Sequence, residues 1–152
     1  GDAFKRAAFS SVRIRQGYIP ADGATVRVRM RDEKAYLTIK SRSVNGGMTR
    51  YEFEKEITPD EAESLFKLCK GGYIDKRRYL VKSGRHTFEI DEFYGPNEGL
   101  IIAEVELKSE TEPFEKPDFI GDEVTGDSRF YNSHLLVYPF SVWGDTLPTD
   151  SR

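Results

Sequence analysis

The chain is short of the residues on which many site chemistries depend. Among its 152 residues there are one cysteine, two histidines, two methionines and one tryptophan. A lone Cys69 permits no intrachain disulfide, so no stapled secreted scaffold is expected, and a reducing cytoplasm is the compartment that fits. Cys69 falls on the apolar stripe of a predicted helix without an adjacent base, which reads as core rather than nucleophile. His86 and His134 lie far apart and outside any metal-ligand spacing, so each is expected to be an ordinary surface or packing residue. No apolar run approaches the length of a membrane span and no signal peptide opens the chain. Neither a Gly-x-x-x-x-Gly-Lys phosphate loop nor a Gly-x-Gly-x-x-Gly turn occurs, which removes the nucleotide folds built on them. A formal net charge of −3 leaves no bulk positive charge for nucleic acid. Trp143, in a polar tail expected to fray, offers no stacking platform for an organic group. The chain opens Gly-Asp-Ala-Phe without a methionine, as a piece of a longer protein would.

What is abundant is alternating charge. In Thr25-Val26-Arg27-Val28-Arg29-Met30-Arg31 a strand sends Val26, Val28 and Met30 to one face and Arg27, Arg29 and Arg31 to the other. Further on the sign reverses, at Glu52 and Glu54, at Glu89 and Asp91, and at Glu104 and Glu106, while Lys76 and Arg78 form a second basic pair. An antiparallel sheet with one face in water also alternates in this way, and that reading accounts for any one strand taken alone. The unmixed sign of each pair points elsewhere, as does the count of about seven strands against about two helices. The expectation is a mainly β domain spanning residues 1–152, an antiparallel barrel with a polar lumen and a few outer helices. Within it, guanidinium forks suit phosphate oxygens and carboxylate pairs suit Mg²⁺ or Mn²⁺. Together they describe metal-assisted phosphoryl transfer to water.

In order, a short helical turn is expected over residues 2–9 and strands at 11–19, 25–31, 35–41, 50–57, 73–81, 87–93 and 100–108. Gly17 could bulge the first strand and leaves the facing of Tyr18 open. Thr58-Pro59-Asp60-Glu61 is a capping box with proline at the first helical position, opening a helix that should run to Lys70. A second helix is expected from Asp127 or Ser128 to Val137. Arg129, near its start, is either solvated or folded over the mouth of the lumen.

Eight segments, in order, resemble the CYTH or triphosphate tunnel metalloenzyme superfamily. They are Arg-Ile-Arg-Gln-Gly-Tyr, Thr-Val-Arg-Val-Arg, Leu-Thr-Ile-Lys, Tyr-Glu-Phe-Glu, Ile-Asp-Lys-Arg-Arg-Tyr, Glu-Ile-Asp-Glu-Phe, Ala-Glu-Val-Glu-Leu and Glu-Val-Thr-Gly-Asp-Ser-Arg-Phe-Tyr-Asn. The resemblance implies an eight-stranded antiparallel barrel forming a tunnel, and hydrolysis of a triphosphate, closest to the small bacterial members associated with inorganic tripolyphosphate. Thiamine triphosphate hydrolysis, ATP cyclisation and a binding module without chemistry stand as alternatives. Carried over by position, Arg27, Arg29, Lys40 and Arg78, with Arg129, would bind substrate, and Lys76 and Tyr18 would serve the catalytic step. Glu104 and Glu106 would hold the metal, with Glu52, Glu54, Glu89 and Asp91 in the same acidic set. Members of the family begin with a strand carrying Glu-x-Glu-x-Lys. Nothing before Ser10 matches it, so the first strand is expected to be absent here, and the open seam to invite a second copy of the chain.

Overall fold

A computed structural model describes residues 2–42, 51–109, 111–117 and 120. Its elements are α1 (Ala3–Ala7), β1 (Ser10–Ile19), β2 (Ala24–Arg31), β3 (Lys34–Ser41), β4 (Glu52–Ile57), α2 (Pro59–Phe66), β5 (Ile74–Ser83), β6 (His86–Phe93) and β7 (Ile101–Val105). The seven strands are hydrogen-bonded in the order β4-β3-β2-β1-β5-β6-β7. Every pair whose register is described is antiparallel. The mainly β, antiparallel class and all seven expected strands are therefore present. The second expected helix, with Arg129, His134 and Trp143, lies outside the described residues, as does the Asn45-Gly46-Gly47 turn. No helix among the described residues is long and apolar enough to cross a membrane.

The chain divides into two compact units, Arg13–Asp75 on the one hand and the residues up to Val12 with those from Lys76 onward on the other. In the first unit, alternation along β2 decides what is covered. Val28 and Met30 face α2 and build a core with Ala35, Ala62, Phe66 and Cys69. Each fully buried aliphatic side chain of this kind contributes roughly 1.5–3 kcal/mol of transfer free energy. The helix that closes this core starts where its capping box dictates. The Glu61 N–H donates to Thr58 Oγ1 at 3.1 Å, and the Thr58 N–H donates to Glu61 Oε1 at 2.9 Å. It ends at Phe66, short of Lys70, because the next amides turn inward early. Lys67, Leu68 and Cys69 donate to carbonyls three residues back, which tightens the chain before the left-handed Gly71 and Gly72. Cys69 is thus a core residue in the turn after the helix rather than on it.

Arg15 of β1 lies directly opposite Met30 and so shares the apolar face of β2. It pairs with Glu63 of α2, and its guanidinium carbon lies 5.2 Å from the Phe66 ring centroid and 5.3 Å from that of Tyr73. Gly17 does not bulge the strand, since the β1–β2 register runs unbroken through it. Its lack of a side chain serves packing: a Cβ there would stand 2.8 Å from Cys69 Sγ and 2.9 Å from the Gly72 carbonyl oxygen.

The second unit has its own core, in which Phe4 of α1 packs with Val81, Phe88 and Ile90, edge-on to Tyr79. Its last strand is shorter than expected, ending at Val105 instead of Lys108. Beyond that point the backbone bonds locally, with the Lys108 N–H donating to the Glu112 carboxylate and the Glu112 N–H to the Ser109 carbonyl. Glu106 consequently lies one residue past the end of β7, and the strand carries Glu104 alone of the expected pair.

Candidate active site

Residues directly opposite one another across antiparallel strands share a face of the sheet. In the first unit this gives three polar rows, opposite the α2 face. Gln16, Arg29, Tyr36 and Glu56 form one, Tyr18, Arg27, Thr38 and Glu54 the next, and Thr25, Lys40 and Glu52 the third. Tyr18, whose facing was open in the sequence, stands directly opposite Arg27. The rows are tied internally and to one another. Arg29 Nε donates to Gln16 Oε1 at 2.8 Å, Gln16 Nε2 donates to Tyr18 Oη at 3.3 Å, and Thr38 Oγ1 donates to Glu54 at 3.0 Å. Lys40 Nζ reaches Glu52 at 4.0 Å. Arg27 differs from its neighbours: its Nε is buried and has no hydrogen-bond partner among the described residues.

The second unit shows a complementary arrangement. Lys76, Arg78 and Leu80 of β5 share a face with Phe93, Asp91 and Glu89 of β6, and Ile102 and Glu104 of β7 complete two of the rows. Lys76 is 1% exposed, and its ammonium lies 2.8 Å from Asp91 Oδ2 and 5.5 Å from the Phe93 ring centroid. Arg78 approaches the same carboxylate with both forks, Nε to Oδ1 at 2.8 Å and Nη2 to Oδ2 at 3.0 Å, and lies 3.5 Å from Glu89. Burial alone would raise the Asp91 pKa, but the Arg78 hydrogen bonds and the Lys76 charge outweigh it and hold the pKa below its ordinary value. Burial likewise opposes the Arg78 charge, and the carboxylates of Asp91, Glu89 and Glu104 raise its pKa in spite of that.

Asp91, one of the six expected metal-ligand candidates, is bonded to both Lys76 and Arg78. Glu89 and Glu104 are directly opposite across β6 and β7. Two facing carboxylates, one of them only partly offset by Arg78, are a donor set of the hard oxygen type that a divalent cation prefers. Among the described residues no group of three or more His, Cys, Asp or Glu side chains gathers as a metal site. The sequence reading missed Gln16 and Thr38, which are 1% and 2% exposed on the charged face. Their signal was parity alone, Gln16 two residues before Tyr18 and Thr38 two before Lys40. His86 is accounted for by packing, with Nε2 at 2.8 Å from Glu112 and its ring edge-on to Phe114.

The fold and charged rows define a mainly β, antiparallel protein with a charged sheet face in each unit. The CYTH domain pattern matches residues 1–131, and the chain belongs to the CYTH domain family. It is 48% identical over 142 residues to an inorganic triphosphatase of Acetivibrio thermocellus, covering 92% of this chain and 89% of that protein. To an inorganic triphosphatase of Nitrosomonas europaea it is 34% identical over 139 residues, covering 88% and 90%. A crystal structure of an inorganic triphosphatase superposes with a TM-score of 0.70 at 32% identity, over 84% of this chain and 86% of that one.

Proposed function

We propose that this protein is a divalent-metal-dependent inorganic triphosphatase that hydrolyses tripolyphosphate to pyrophosphate and phosphate. The observation that carries the reading is Arg27. A buried guanidinium Nε without a partner, on a face with Arg29 and Lys40, suits an anion whose oxygens accept from all three cations. The activity for which the relatives are named supplies such an anion.

Arg27, Arg29 and Lys40 are assigned to phosphate oxygens, and Arg129 is carried with them as a substrate-binding candidate. Arg78 binds phosphate with its geometry fixed by Asp91. Lys76, held charged by the same carboxylate, acts as a cation that neutralises developing negative charge rather than as a base. Tyr18 orients a phosphate through its hydroxyl. Glu89, Glu104 and Glu106 would hold Mg²⁺ or Mn²⁺, with Glu52 and Glu54 as the other acidic candidates. A cation held there would supply charge neutralisation at the phosphate oxygens and Lewis acidity toward the attacking water. In the reaction a water oxygen bonds to the terminal phosphorus as the bridging P–O bond breaks, and the leaving oxygen departs with the pyrophosphate. The single free cysteine, buried, suits the cytoplasm, where we place the enzyme.

The test is phosphate release from tripolyphosphate, ATP and thiamine triphosphate, each with and without metal. Metal-dependent release, fastest from tripolyphosphate, is expected. No turnover of any of them overturns the enzyme reading, and preferential turnover of an organic triphosphate overturns the inorganic substrate.

A further inference from the structure

We propose that Gln16 is a positioning residue for catalysis, which sets both the guanidinium of Arg29 and the proton of Tyr18; the inference rests on the triphosphatase reading above. The side chain is 1% exposed and sits on the charged face, a place where an amide is costly to bury unless its hydrogen-bonding groups are engaged. Both ends of its amide are engaged. Arg29 Nε can only donate, so the oxygen of the amide must face it, at 2.8 Å. The amide nitrogen is thereby turned toward Tyr18, 3.3 Å away, and since it too can only donate, the phenol oxygen accepts.

The polarity of this short chain has a chemical result. With one lone pair of the Tyr18 oxygen taken by Gln16, the phenol's own proton is directed away from the protein amide, available to an oxygen acceptor such as a phosphate. The same amide holds Arg29 by Nε. Spacing along the backbone makes this arrangement stiff. Gln16 and Tyr18 are two apart on β1, Arg29 lies directly opposite Gln16, and Arg27 lies directly opposite Tyr18. A single buried amide thus fixes one cation and one hydroxyl, neither through contact with substrate.

The test is a double-mutant cycle read as kcat/KM for tripolyphosphate with metal present, with melting temperature recorded for each variant. Tyr18→Phe alone is expected to lower kcat/KM about tenfold, and by less than about threefold in a Gln16→Leu background, because the hydroxyl is no longer directed there. Gln16→Glu has almost the same shape and keeps an acceptor for Arg29, but it cannot donate to Tyr18 and instead draws the phenol proton inward. It is expected to lose about tenfold or more in kcat/KM while melting close to the wild type. Should Gln16→Leu fail to fold, Gln16→Glu with and without Tyr18→Phe carries the cycle. Independent, multiplying losses, or a Gln16→Glu variant as active as the wild type, overturn the positioning role. Where the wild type binds tripolyphosphate without turning it over, the calorimetric Kd replaces kcat/KM in the same cycle. A wild type that neither binds nor hydrolyses tripolyphosphate overturns the triphosphatase reading and this inference together. An active wild type with unaffected variants overturns this inference alone.

Discussion

The ammonium of Lys76 lies 2.8 Å from the carboxylate of Asp91, and the two side chains are 1% and 6% exposed. A buried lysine is stabilised when a carboxylate meets it, and here the same carboxylate also takes both forks of Arg78. Three charges share one small volume, with Asp91 at the centre. Removing that centre takes away the carboxylate that the two cations share. Asp91→Asn should therefore cost about 3–5 kcal/mol of stability, read as a fall in the urea midpoint, and should abolish turnover in whatever fraction stays folded. A smaller loss than that of an ordinary surface aspartate would show that the pair contributes nothing.

The same group sets an acid limit. The Asp91 pKa is lower in the folded chain than its ordinary value of 3.8, so the unfolded chain binds a proton more readily. Its contribution is fully present above that ordinary value and is lost as pH falls toward and through the lower folded value. Wild-type stability should fall steeply below about pH 4, and Asp91→Asn should lack that part of the fall. Parallel curves for the two chains would count against it.

Strand parity separates two arginines of similar chemistry. Arg27 stands on the charged face opposite Tyr18, whereas Arg77 faces the other way, opposite Glu92, and donates to Ser11 Oγ at 3.2 Å. Arg27→Ala should lower kcat/KM for tripolyphosphate about a hundredfold, and Arg77→Ala by less than about threefold. Comparable losses in both would mean that the charged face of β2 is not the binding face.

Much of this was legible before any coordinates. The period of two in Thr25–Arg31 states which side chains α2 must cover and which it cannot, and α2 does cover Val28 and Met30. The capping box at Thr58 states where that helix starts. What the sequence could not state is pairing. Asp91 reads as one of six acids, and only register shows it opposite Arg78 while Glu89 is opposite Glu104. Nor could alternation show that Glu106 lies past the end of its strand, because local bonds at Lys108 and Glu112 compete with the ladder. Gln16 escaped for a related reason: an amide carries no charge signal, and its importance comes from burial.

The close approach at Gly17 gives a purely structural test. An added methyl would meet Cys69 Sγ at 2.8 Å and the Gly72 carbonyl at 2.9 Å, and the carbonyl is backbone that cannot swing aside. Gly17→Ala should destabilise by about 1–3 kcal/mol through overpacking, measured by thermal melting. Pairing it with Cys69→Ala should recover only part of the loss, since the carbonyl contact remains. Full recovery would assign the whole clash to the thiol.

Glu89 and Glu104 stand directly opposite each other across β6 and β7. Like charges directly opposite on neighbouring strands repel, and Arg78 at 3.5 Å from Glu89 offsets only part of that repulsion, its guanidinium being shared with Asp91. A divalent cation bound between them would relieve the repulsion in the folded chain, while the unfolded chain has no such pairing to relieve. Stability should then rise with metal by linkage, about 2.7 kcal/mol at a hundredfold excess over Kd. Mg²⁺ or Mn²⁺ is expected to raise the melting temperature of the wild type, and to raise it further with tripolyphosphate present, whose oxygens complete the coordination shell. Glu89→Gln combined with Glu104→Gln should abolish that response and the activity together, yet leave the metal-free fold as stable as the wild type or slightly more so. Glu106→Gln, changed past the end of the strand, should weaken the metal response without abolishing it. A Glu89→Gln, Glu104→Gln chain that still gains stability from metal would move the site to Glu52 and Glu54.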